Sequence, residues 1–185
     1  MMALPITRIC DAVWRKKTRF DFAAIAKDDT IMPKFLKAVR LDDSDAELYR
    51  ASRACDENEW VTTGGFAVCD IKEGYRCDPP CRCDASFLSL TRHARCTLAE
   101  VVDVEDADIE IFKDQMTQHL MFDWKAPDFE AARELANEEI TYTMDLAGSF
   151  PADVWITVKR SPGSDGAIEE KYDQYHRLMV GAHKL

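Results

Sequence analysis

Two apolar stripes with helical spacing stand side by side between residues 106 and 148, and strand-like segments lie on both sides of them. The first stripe is Ile109, Phe112, Met116 and Leu120, at intervals of three and four. Asp103 or Asp106 is placed to cap it, and Asp106, Asp108 and Glu110 put negative charge where the helix dipole favours it. The second helix is expected to open with Pro127 and to stop at Gly148 and Pro151. Phe129, Ala132, Ala136, Ile140 and Met144 form its inward stripe, with alanines small enough for close packing.

Before the helices, residues 35–41 alternate as a strand, with Phe35, Val39 and Leu41 on one face, and end in an Asp-rich turn at 42–45. Residues 60–71 read as a long strand bent at Gly64-Gly65, residues 72–92 as irregular, and 96–104 as a third strand. After the helices come a strand at 154–158, a turn at 161–166, and a segment at 168–175 that reads as a hairpin strand, with a helix as the alternative. Clustered rather than alternating elements predict an α+β fold, a mostly antiparallel sheet of four to five strands with a pair of helices packed on one face. Residues 32–178 are expected to form one domain and 179–185 a tail.

Met32 is a second plausible start. Residues 1–31 carry six basic and four acidic groups in a chain of net charge −10. They read as an overlong start-site assignment, the alternatives being a flexible tail or a short docking helix through Ile9, Val13 and Trp14. The anionic balance argues against binding of nucleic acid or of anionic lipid. No apolar run reaches the roughly 18 residues of a membrane span. Seven cysteines, an odd number, read as reduced thiols and a cytoplasmic location.

Residues 37–45 (KAVRLDDSD), Glu59-Trp60-Val61 with Gly65-Phe66, 87–90 (FLSL), 98–102, 131–140 (AARELANEEI) and 158–166 with Ile168 carry a resemblance by order and spacing. They resemble a bacterial family catalogued only as a domain of unknown function, over most of residues 32–175 and none of 1–31. No single motif among them is diagnostic. The resemblance implies a small cytosolic single-domain protein without assigned catalytic residues, and residues 77–83 are not part of its pattern.

The strongest constellation for chemistry is Cys77, Cys81, His93 and Cys96, two short chelating pairs that could supply the four S/N ligands of a structural zinc. Against it, the first pair lacks the usual two-residue knuckle, and a cysteine-rich loop with Cys69 and Cys96 buried explains the same residues. Redox sensing through Cys81 and Cys83 is weaker still, since Arg82 could lower a thiol pKa but no resolving partner can be identified. His119 beside the first helical stripe reads as a hydrogen-bonded core histidine. Asp173 and His176 would share a helix face only if that segment were helical. Glu134, Glu138 and Glu139 read as a solvated helix face, and Asp42, Asp43 and Asp45 lack the rest of a calcium loop. No phosphate loop, serine-hydrolase elbow or zincin motif is present.

The function expected is therefore a non-catalytic accessory or protein-binding domain. It would act on a protein partner or by self-association, without cofactor, nucleic acid or membrane. Trp124, Tyr142, Phe150 and Trp155 are the apolar residues in excess of the two stripes. The alternatives are a zinc-binding protein and an enzyme using His119 or His176 as acid–base.

Overall fold

The computed structural model describes residues 32–67, 82–164 and 168–176. Among these residues seven strands form one antiparallel sheet in the order β4-β3-β2-β1-β5-β6-β7. In chain order they are β1 (Lys34–Ala38), β2 (Trp60–Thr62), β3 (Phe87–Ser89), β4 (Arg95–Cys96), β5 (Ala99–Asp103), β6 (Val154–Pro162) and β7 (Ile168–His176). Three α-helices accompany them: α1 (Ser44–Tyr49), α2 (Asp106–Phe122) and α3 (Phe129–Gly148).

The α+β class and antiparallel pairing are as expected, but four to five strands is too few. Residues 87–89 lie in a segment read as irregular and form β3. The expected strand at 96–104 is two strands, because Thr97 gives its amide and hydroxyl to the buried Asp45 carboxylate, at 3.2 and 2.8 Å, instead of to a ladder. The same carboxylate turns the expected Asp-rich turn into an anchor for α1. The segment at 168–176 is the hairpin partner of β6, so the helical alternative is excluded and Asp173 and His176 point to opposite faces. β2 ends at Thr62, short of the expected strand, whose residues 68–71 lie outside the described residues, because Gly64 turns the chain at φ +67° and lies against Leu88, where an added Cβ would meet Leu88 Cβ at 2.7 Å.

The connection from β4 to β5 is only Thr97 and Leu98, at most about 11 Å of chain. Laid flat, four strand spacings would separate them by roughly 19 Å. The sheet must therefore curl. Leu36, Val61, Phe87, Cys96, Val101 and Ile156, one from each of β1 to β6, meet in one core cluster inside the curl. β6 pairs with β5 only through Ala99↔Ile156 and Glu100↔Trp155, so its far half can bend toward the β2–β3 side.

The opposite face holds Phe35, Trp60 and Val102, covered by Ile109, Phe112, Met116 and Leu120 of α2 and Ala132, Ala136 and Ile140 of α3. Both expected stripes pack there except Phe129, which is exposed, and the last turn of α3 sends Leu146 and Ala147 into the first cluster. Each fully buried Phe, Leu or Ile contributes about 1.5–3 kcal/mol. The helix starts differ from expectation by a residue or so. Glu105 caps α2 in a box with Asp108, and Asp128 caps α3 by accepting from the Ala131 amide at 2.8 Å. Pro127 thus precedes the cap.

Candidate functional site

Three features of the described residues could carry chemistry or binding. The first surrounds His119, on the buried side of α2. Its Nδ1 is 3.1 Å from the Leu90 carbonyl and its Nε2 is 3.2 Å from the Trp124 indole nitrogen. A carbonyl only accepts and an indole N–H only donates, so the ring is the Nδ1–H tautomer with both nitrogens engaged. Burial, and then the charge of nearby His93, push its pKa down to about 4 against the pull of Asp123. His93, Phe66 and His119 all pack on Trp124. A cavity of about 170 Å³ lies beside this group, lined by Thr91, Gln115, Gln118, His119, Phe122 and Asp123. Asp123 Oδ2 is 3.7 Å from His119 Nε2. The histidine expected as an acid–base thus lies next to a carboxylate and a cavity, but it is neutral and its proton-accepting nitrogen already holds the Trp124 N–H.

The second feature is a buried polar network at the bend of β6. The Arg160 side chain is fully buried. Its Nε donates to Glu170 Oε1 at 2.5 Å, its Nη1 to the carbonyls of Cys83 and Ser86 at 2.9 and 2.8 Å, and its Nη2 to the carbonyl of Thr63. Tyr142 from α3 and Tyr172 from β7 both donate to Glu170 Oε2 at 2.7 Å. Burial and the Glu170 charge push both phenols up. One turn of helix from Tyr142, Glu139 accepts from Thr63 Oγ1 and the Gly64 amide, each at 2.8 Å. Burial outweighs these bonds and, with Glu170 nearby, raises the Glu139 pKa to about 7. Perturbed carboxylates often mark active sites. Here every arm of the guanidinium is spent on the fold, closing β6, β7 and α3 against the turn at 63–65.

Glu139 is where the sequence reading failed. Glu134 and Glu138 are solvated as expected, but Glu139 is buried. The signal was present: Ala132, Ala136, Glu139 and Thr143 fall at i, i+4, i+7 and i+11, a stripe of small residues interrupted by one carboxylate.

Of the four zinc-ligand candidates, Cys77 and Cys81 lie outside the described residues. The Cys96 thiol is in the curled core with Cys55 in the same cluster, while the exposed His93 ring packs on Trp124 on the helix side. Among the described residues no group of three or more His, Cys, Asp or Glu could hold a metal. Cys83 is buried, and the carbonyl of that residue serves Arg160. His176 is an exposed residue of β7.

The third feature is on the outer side of α2. Ile111 and Phe122 are 51% and 71% exposed, and they lie eleven residues apart, within about 20° of the same helical line. Gln115 and Gln118 lie between them on that line and form the rim of the cavity. They lie off the buried stripe, so its periodicity carries no sign of them. By contrast, the residues first expected to be in surplus are occupied. Trp155 is 8% exposed, Phe150 packs on the curled core, Tyr142 holds Glu170, and Trp124 holds His119.

Among the described residues no helix is long and apolar enough to cross a membrane. No curated protein and no solved structure matches the chain. Residues 32–182 match the model of a Family of unknown function (DUF6505), and the chain belongs to that family.

Proposed function

We propose that the chain is a non-catalytic protein-binding domain that receives a basic amphipathic helix along the outer face of α2. The observation that carries this reading is the exposed pair Ile111 and Phe122, about 16 Å apart on one helical line, with a cavity bordering Phe122. Two apolar anchors at that spacing suit a helix laid alongside, with apolar residues three turns apart.

Charge selects the partner. Around this helix stand Glu105, Asp106, Asp108, Glu110, Asp114 and Asp123, six carboxylates against Lys113, Lys125 and Arg133. A second copy presenting the same face would bring like charges together, whereas Lys or Arg flanking apolar anchors would be attracted. The odd cysteine count supports placing the protein in the cytoplasm, where thiols stay reduced.

The test is fluorescence anisotropy with a labelled 18-residue Leu/Lys amphipathic helix, using a Leu/Glu helix of the same pattern as control. Binding of the basic peptide alone is expected, weakened by salt and reduced at least tenfold in the Ile111→Asp/Phe122→Asp double variant. Equal binding by the double variant, or none by the wild type, would overturn the reading. So would crosslinks from Lys16 or Lys17 to α2, which would give the face to the chain's own leader, or a dimer abolished by the same double substitution.

A further inference from the structure

Cys55 and Cys96 meet where the chain leaving α1 touches the edge strand β4. Ala54 and Arg95 form a parallel β-bridge, and the Cys55 amide donates to the Arg95 carbonyl at 2.9 Å. One residue further along each segment, Cys55 lies opposite Cys96. Bridged segments run about 4.8 Å apart, inside the roughly 4.4–6.8 Å Cα separation that a disulfide spans. Facing residues of a parallel bridge direct their side chains to the same side. Both cysteines belong to the core cluster inside the curl, at 2% and 1% exposure. Neighbouring Cys55 and burial push the Cys96 thiol up, and neither cysteine is in a disulfide.

We propose that Cys55 and Cys96 are a disulfide-forming pair, a redox latch that ties the segment after α1 to the sheet edge when the protein meets a small-molecule disulfide. The reaction is two exchanges. The thiolate of one cysteine attacks a sulfur of the reagent and expels one small thiol. The thiolate of the other attacks the mixed disulfide and expels the second, so the protein loses two hydrogens and the reagent is reduced to two thiols. The bond formed closes a loop containing β2 and β3.

Both sulfurs are shielded, so the exchange is gated by local opening. β4 is a two-residue strand at the sheet edge, the kind of element that opens without global unfolding. The four cysteines 10, 69, 77 and 81 lie outside the described residues and compete for the same reagent, which makes the identity of the linked pair a discriminating readout.

The full chain is incubated with excess glutathione disulfide until the Cys55 and Arg95 amides have exchanged in a parallel deuterium sample. It is then alkylated, digested without reduction and mapped by mass spectrometry. The expected product is a Cys55–Cys96 linked peptide, two hydrogens lighter than the sum of its thiol peptides and released by dithiothreitol, together with a higher unfolding temperature. Cys55→Ala removes both effects and Cys83→Ala keeps both. Recovery of Cys55 and Cys96 as alkylated thiols, as separate glutathione adducts, or linked to other cysteines would overturn the proposal.

Discussion

The indole N–H of Trp124 points at Nε2 of His119 across 3.2 Å, and this contact fixes the tautomer of a histidine that burial keeps neutral beside a carboxylate and a cavity. Replacing Trp124 by Phe should leave Nε2 free and let the ring accept a proton beside Asp123. An imidazole titration followed by NMR is expected to move the His119 pKa from about 4 toward the ordinary 6.5. An unchanged pKa would mean that burial alone holds the ring neutral.

Glu139 gives the protein an opposite response to pH. Its folded pKa is about 7 against 4.5 when unfolded, so between those values the folded protein keeps a proton that the unfolded chain releases. Stability from this group falls as pH rises from 4.5 to 7, by about 3 kcal/mol in all. His119, with its pKa lowered, loses stability as pH falls from 6.5 to 4. The two slopes oppose each other between 4.5 and 6.5. Glu139→Gln keeps an acceptor for Thr63 and Gly64 and removes the charge. Urea unfolding of this variant should show higher stability than wild type at pH 8, and a stability rising with pH across 4–6.5.

Arg160 should be the most costly single loss. Arg160→Met would leave Glu170 buried without its cation and strip donors from the carbonyls of Thr63, Cys83 and Ser86. Breaking one side of a buried pair costs about 3–5 kcal/mol. Lysine cannot restore three separate directions from one point charge. Denaturant midpoints should therefore place Arg160→Lys much closer to Arg160→Met than to wild type.

The Tyr49 hydroxyl is buried and has no hydrogen-bond partner among the described residues. Burial pushes this phenol up. Tyr49→Phe removes an unsatisfied group, so thermal unfolding should show an unchanged or higher midpoint, not the loss of about 1 kcal/mol typical of a deleted hydrogen bond.

Gly64 combines φ +67° with contact against Leu88. Gly64→Ala must pay for both the left-handed backbone and the displaced neighbour, so a drop of about 1–3 kcal/mol is expected in chemical unfolding. Gly148, with open space around its missing Cβ, should tolerate alanine or gain from it.

The α2 stripe, the end of α3 at Gly148, the hairpin at 168–176 and the antiparallel α+β class were legible because each follows from local periodicity or turn chemistry. Strand number was not. β3 and β4 are three and two residues long, below the length at which alternation can be read, and they exist because neighbours supply their ladders. Thr97 interrupts an apolar run only because Asp45, fifty-two residues earlier, takes its amide.

The sequence by itself determined the apolar stripe of α2 and where α3 ends, since both depend on neighbours a few positions away. Only the tertiary structure decided which polar groups are shared. The bridge between Ala54 and Arg95 brings Cys55 to Cys96 in the core, and the bend of β6 brings Arg160 to three carbonyls and a carboxylate. Those pairings join residues far apart in the chain, and their partners are set by the path of the sheet, which no local pattern encodes.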